Sequence, residues 1–210
     1  SVLYEVDLSL ASNKDWSGTL LTGSSLTWSD LTAVDFSGME LAGTNFYNSD
    51  LSGQDFTNDI NFFETTFMEA KLSNANFEGA DMFNEKVYST PFKNKASLAS
   101  SDHEDIITEL FGDNRQILLH SMEIQGNDLI VNYVVYNNFK TANLENANFK
   151  NADLKFVNFY QANLSNADLS GADLRKAFLG DANLSNANLD GALLDDAILN
   201  CKNHSVCVQP

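Results

Sequence analysis

Cysteine is almost absent from this chain. Two occur in 210 residues, Cys201 and Cys207, so at most one internal bridge is available. Proline is as scarce, with two residues. No stretch approaches the roughly 18–20 apolar residues of a membrane-spanning helix, and the chain reads as soluble. Bases are few: 12 against 29 acids, a formal charge of −17. That deficit argues against binding nucleic acid or an anionic membrane, both of which need basic surface. The three histidines, His103, His120 and His204, lie in unrelated settings. With no Ser/His/Asp or Cys/His pattern beside them, no catalytic residue and no cofactor site is assigned, and the chain reads as a non-enzyme.

What is present is a rhythm of five. From Phe139 to Leu199 every fifth residue is Leu or Phe, beginning Phe139, Leu144, Phe149, Leu154 and Phe159. Ala sits two places before most of them, as at Ala142, Ala147, Ala152, Ala162 and Ala167. The places between carry Asn, Asp, Ser and Gly. Neither a helix nor an ordinary strand repeats every five residues. A more degenerate copy runs from Trp16 through Leu21, Leu26, Leu31, Phe36 and onward to Phe56. One extra residue enters near Asp59, and the rhythm resumes at Phe62, Phe67, Leu72, Phe77 and Met82. In all there are 27 centres.

Tandem Ala-Asn/Asp-Leu-x-x units of this kind, over residues 16–82 and 139–199, resemble the pentapeptide repeat family. The resemblance implies an all-β solenoid, a right-handed quadrilateral β-helix with four pentapeptides per coil. Each Leu or Phe and the small residue two before it would point inward. Ala suits that place because four walls converge on a narrow axis. With coils spaced like neighbouring strands, about 4.8 Å apart, the rod would be roughly 30 Å long. Four faces then follow from stacking, one of them Leu26–Phe46–Phe67–Phe139–Phe159–Leu179–Leu199. The faces stay coherent if residues 83–138 are looped out of one continuous solenoid.

The organisation expected is an N-terminal cap over 1–15, solenoid over 16–82, an insertion over 83–138, solenoid over 139–199, and a C-terminal cap over 200–210. In the cap, Val2, Tyr4, Val6, Leu8 and Leu10 suggest a strand-like element. In the insertion, Ser101-Asp102-His103-Glu104 reads as a capping box opening a short helix over 102–111. Residues 116–123 and 129–136 read as a hairpin around Gln125-Gly126-Asn127-Asp128. Pro91 and residues 93–101 read as a connector. Asp102, His103, Glu104 and Asp105 could gather a metal, but acids at a helix start serve capping and the dipole, so no metal is assigned. Stacked acids (Asp30–Asp50, Asp35–Asp55, Asp81–Asp153–Asp173) lack the loop of calcium-binding β-rolls and read as a solvated face. The Asn-x-Ser matches at Asn163, Asn183 and Asn203 fall partly on ordinary repeat units and carry little weight.

Function, if legible, lies where the rhythm breaks. A disulfide between Cys201 and Cys207 would close a small loop over the last coil, and it would place the chain in an oxidising compartment: periplasm, extracellular space or an organelle lumen such as the thylakoid's. Two free thiols are the alternative and would fit the cytoplasm. Ser1, with no charged and hydrophobic leader, is what signal-peptide removal or simple trimming would each leave. The acidity is uneven: residues 1–82 carry 13 acids and 2 bases, residues 139–210 carry 8 and 6. On the face through Phe67 and Phe139, Tyr47, Met68, Tyr160, Phe178 and Ile198 should point outward as candidate partner-binding residues. Tyr47, Met68 and Tyr160 are expected to lie buried beneath the insertion. The reading is a non-catalytic protein-binding or structural module, an acidic subunit or scaffold in an extracytoplasmic or lumenal assembly. It has no membrane insertion, and association with a membrane protein complex is compatible with it. The alternative follows from the resemblance: some family members mimic duplex DNA and bind DNA gyrase, conferring quinolone resistance.

Overall fold

The computed structural model describes residues 2–4, 21–57, 60–83, 86–101, 103–111 and 117–207. The chain divides into two compact units, Ser1–Phe83 with Asn137–Pro210, and Asn84–Tyr136.

The first unit is a β-helix held by short parallel bridges between successive coils. Asn138↔Asn158, Asn143↔Asn163, Asn148↔Asp168 and Asp153↔Asp173 join residues 20 apart. The extra residue near position 59 lengthens one coil, so Glu40↔Asn61, Asn45↔Thr66, Asp50↔Lys71 and Asp55↔Asn76 join residues 21 apart. The ladder then passes over residues 83–138 without a break. Phe46 N–H donates to Thr66 O (2.8 Å), Phe67 to Asn138 O (2.7 Å), Phe139 to Asn158 O (2.8 Å) and Phe159 to Phe178 O (2.8 Å). The solenoid is therefore one body with its coils in register.

Each pentapeptide closes on a turn. The carbonyl of the central residue accepts the N–H three places on, as in Ala142 N to Phe139 O (3.0 Å). The residue two after the centre has positive φ, the type II pattern: Asn146 (58°), Asn166 (57°), Gly171 (67°) and Asn186 (56°) are examples. That conformation favours Gly and Asn, although Glu64, Glu69, Thr141, Gln161 and Lys176 adopt it as well. It explains why two of the polar places in the motif are not interchangeable.

Inside, the Phe residues stack coil on coil. Phe67 lies 4.7 Å from Phe139 and 5.2 Å from Phe46, ring centre to ring centre, and Phe77 lies 4.8 Å from both Phe56 and Phe149. The small inward position is Ala in the second half, with Ala142, Ala147, Ala172 and Ala182 fully buried. In the first half it is often polar, and several of the buried hydroxyls and amides donate to a carbonyl on the coil before. Thr44 Oγ1 donates to Leu21 O (2.9 Å), Thr65 Oγ1 to Leu41 O (2.9 Å) and Gln54 Nε2 to Leu31 O (3.0 Å). Degeneracy of the repeat thus costs little, because every buried polar group named here is paired.

Strand β1 (Val2–Tyr4) pairs in parallel with β2 (Ser25–Thr27), in accord with a strand-like start; Val6, Leu8, Leu10 and Trp16 lie outside the described residues. At the other end Cys201 and Cys207 form a disulfide. Its loop is tied to the coil before by Leu184 N to Lys202 O (3.0 Å) and Lys202 N to Ala182 O (2.8 Å). Val206 and Cys207 pack against the core.

The second unit contains β3 (Tyr88–Phe92), a 3-10 turn (Ala96–Ser100), α1 (His103–Phe111), β4 (Ile117–Gln125) and β5 (Asp128–Val135). The sheet is antiparallel in the order β3-β5-β4. Helix and hairpin occur where the sequence placed them, with Gly126 (φ 63°) in the two-residue turn. The capping residue Asp102 lies outside the described residues. The connector reading of Pro91 is corrected: residues 88–92 form a third strand. It is an edge strand, where a missing N–H is tolerated, and Pro91 faces Ile130 in register. Residues 96–100 likewise form a 3-10 turn and not a plain connector. Ile106, Ile117, Leu129 and Val131 are buried, and Phe111 packs edge-on against Phe92 and Tyr133.

Where the solenoid resumes, Asn137 occupies the small inward position and is buried. Its Oδ1 accepts Thr65 N–H (2.8 Å) and its Nδ2 donates to Met82 O (2.8 Å). One side chain therefore stitches the two segments of the coil together. Thr65 N–H also donates to Phe62 O (2.9 Å), so Asn137→Ala deprives Met82 O of its amide partner and should cost about 1–3 kcal/mol, read as a lowered denaturant midpoint with an unchanged slope.

Candidate interaction surface

The residue before each centre is commonly Asp or Asn, and its side-chain oxygen accepts the backbone N–H two places on. Asp35 caps Ser37 (2.9 Å), Asp55 caps Thr57 (3.1 Å), Asp81 caps Phe83 (3.0 Å) and Asp168 caps Ser170 (3.0 Å). The stacked acids are thus turn caps first, and one carboxylate oxygen of each is already used. Asp173 also receives Arg175 through both oxygens (2.8 and 2.6 Å), and that pairing holds its carboxyl below the usual range. The Ser170 hydroxyl does the same for Asp168.

Where Asn replaces Asp the amides chain along the axis. Asn163 Nδ2 donates to Asn143 (3.0 Å), Asn183 to Asn163 (3.0 Å) and Asn203 to Asn183 (2.9 Å). The three Asn-x-Ser positions are consecutive rungs of this ladder. Among the described residues no three His, Cys, Asp or Glu side chains come together as metal ligands. Of the acid-rich helix start, Asp102 and the side chains of His103 and Glu104 lie outside the described residues.

The five outward residues flank one face in two columns. Coil register places Tyr47, Met68 and Tyr160 in the column after the centre, with Lys140 between Met68 and Tyr160. Phe178 and Ile198 stand in the column before the centre, bridged to each other. They do not form one strip. Tyr47, Met68 and Phe178 are half-buried, whereas Tyr160 is 36% and Ile198 47% exposed. The expectation that Tyr160 lies buried is corrected. Its ring rests on the next coil at Gly180, where an added Cβ would come within 2.9 Å of it, with Lys140 Nζ 5.8 Å from its centre.

Sequence reasoning passed over Trp28 and Leu193, each 47% exposed. Trp28 meets Tyr47 edge-on, ring centres 5.7 Å apart. Beyond it Glu69 lies close enough to the Tyr47 phenol to raise the tyrosine pKa. Elsewhere Phe83 stacks on Phe156 (5.6 Å), with Lys155 Nζ 4.1 Å from the Phe83 ring. Trp28 was findable: it stands two after Leu26, a position filled by Gly23, Ala33 and Gly38 in the repeats around it.

Repeats, ladder and inward Leu/Phe columns define a right-handed quadrilateral β-helix. The pentapeptide-repeat family model matches residues 9–38, 59–84, 138–166 and 162–200, in eight copies, and the chain belongs to that family. QnrB1, a plasmid-mediated fluoroquinolone resistance protein, is similar in structure at 18% identity, over 93% of this chain and 69% of that one, TM-score 0.52. A pentapeptide repeat protein of the Arabidopsis thaliana thylakoid lumen is 44% identical over 31% of this chain and 47% of its own length, TM-score 0.30. HetL of the cyanobacterium Nostoc, involved in heterocyst differentiation regulation, is 18% identical over 99% of this chain and 89% of its own, TM-score 0.22. A comparison with curated proteins finds no match.

The lowered carboxyls set an acid limit. A group whose pKa falls on folding contributes stability above its unfolded value, near 3.9 for Asp, and loses it as pH drops through the folded value. Asp168→Asn and Asp173→Asn keep the capping oxygen and remove that titration. Each should flatten the fall in melting temperature below about pH 4, measured by circular dichroism from pH 7 to 2.5.

Proposed function

We propose that this chain is a non-catalytic protein-binding module, an acidic scaffold that serves in an extracytoplasmic or lumenal assembly. The observation that carries the reading is where the chemistry is spent. Backbone groups, caps and amide ladders are consumed within the coils, while apolar side chains stand outward at Tyr47, Met68, Tyr160, Phe178 and Ile198. Apolar groups held out by a rigid scaffold favour docking of a protein surface. Affinity capture from native extract with the whole chain tests it. Tyr160→Ser and Ile198→Ser, tested singly, should each reduce recovery of the bound protein, and unchanged recovery with both would remove these columns from the interface.

Compartment enters through the disulfide. A bridge closing so short a loop contributes about 2 kcal/mol by the chain-entropy estimate, and it persists where thiols are kept oxidised. Reduction should lower the melting temperature by several degrees without abolishing the transition, because the ladder above the loop is untouched. Two reactive thiols in protein taken from its native compartment would remove the case for an oxidising one.

The second reading is duplex-DNA mimicry toward DNA gyrase, which the family resemblance implies and the charge of −17 favours. It predicts inhibition of gyrase supercoiling at micromolar protein. The first reading predicts none.

A further inference from the structure

Trp28 sits in a backbone conformation that disfavours it. Its φ is 58°, at the turn position that Gly23 (65°), Gly43 (67°), Asn48 (54°) and Asn74 (60°) fill on other coils, and that longer residues such as Glu69 (59°), Thr141 (58°), Gln161 (58°) and Lys176 (61°) also fill. A bulky side chain in the left-handed region is strained where Asn or Gly is not. Phe156 (φ 61°) shares the anomaly, but it stacks on Phe83 inside the same unit and gains packing there. Trp28 instead keeps 47% of its surface exposed, and among the described residues its ring meets Tyr47 at 68°. A strained residue whose ring faces outward points to a use outside the fold.

Three neighbours define that use. Trp28 N–H donates to Tyr47 O (3.0 Å), fixing the two rings on adjacent coils, and Asn48 N–H donates to Met68 O (3.1 Å), setting Met68 on the coil after. The Glu69 carboxylate lies close enough to the Tyr47 phenol to raise its pKa, so an acid stands beside the aromatic pair. The described residues of the coils over 21–82 carry nine acids against one base, Lys71, which pairs with Asp50. An aromatic face beside a carboxylate in a negative field fits a guanidinium, which can stack on the ring and pair with the acid together.

We propose that Trp28, Tyr47, Met68 and Glu69 form a docking patch for an arginine-rich segment of a protein partner. The proposal rests on the protein-binding reading above and names the chemistry of the partner at one end of the same face. The indole and phenol supply the stacking surface, Met68 an adaptable apolar floor, and Glu69 the charge that orients the incoming side chain. The surrounding acids speed encounter and make binding salt-sensitive.

The test uses the full chain and a fluorescein-labelled oligo-arginine peptide, with anisotropy read at low and physiological salt. An uncharged serine-glycine peptide is the control. Trp28→Asn replaces the indole by a residue suited to φ near +58°, so it should melt at the same temperature as the parent or higher. The same variant should bind oligo-arginine about tenfold more weakly, and Trp28→Phe should fall between. Parent-like affinity in Trp28→Asn would overturn the patch. So would equal binding of the uncharged peptide, or no binding of oligo-arginine by the parent. Capture of a protein from native extract reports on the underlying reading separately. Recovery of a partner there alongside failure here discards the patch alone.

Discussion

Everything in the solenoid depends on the parallel hydrogen-bond ladder that locks each coil to the next. The cross-section is set by four walls sharing one axis, so the inner space admits one large apolar residue and, in most repeats, one smaller one from each wall. Alanine satisfies the small position by size alone. Serine, threonine and glutamine satisfy it in the first half by donating to a carbonyl one coil earlier. The ladder, and not the identity of the repeat, is what the chain conserves from coil to coil. That is why a lengthened coil near residue 59 and an insertion after residue 83 leave the register of the stack intact.

The same constraint separates scaffold from surface. Three places in every five face outward, but two already have work to do. One caps the turn through an Asp or Asn oxygen, and another adopts positive φ. Acid columns that look like a cation site in sequence are, in the coil, a row of caps. Function is then left to the side chains that break the pattern. Aromatic and aliphatic groups at the outward positions, and a tryptophan at a positive-φ turn position, are departures that folding does not require.

The period of five was legible because it is strict, and it placed the inward Leu and Phe columns, including the stacked run Phe46–Phe67–Phe139–Phe159. The helix and the hairpin of the inserted segment were legible from local signals, an acid-rich start and a Gly-Asn turn. Strand β3 was not, because Pro91 argues against a strand unless the strand lies at an edge, and edge position is a tertiary fact. Nor was the exposure of Tyr160, which depends on Gly180 one coil along and on Lys140 one coil before. Trp28 was legible in principle, but its meaning needed the φ of its turn. Counting by fives gives the face on which a residue lies and says nothing of the backbone that carries it.

The account makes the first coils, with their aromatic pair and their acids, the place where a basic partner lands. Hydroxyl-radical footprinting of the full chain, with and without oligo-arginine, reads that directly. The account predicts protection at Trp28, Tyr47 and Met68, with Tyr160 and Ile198 unchanged. Protection spread evenly over the outward residues, or confined to Tyr160 and Ile198, would contradict it.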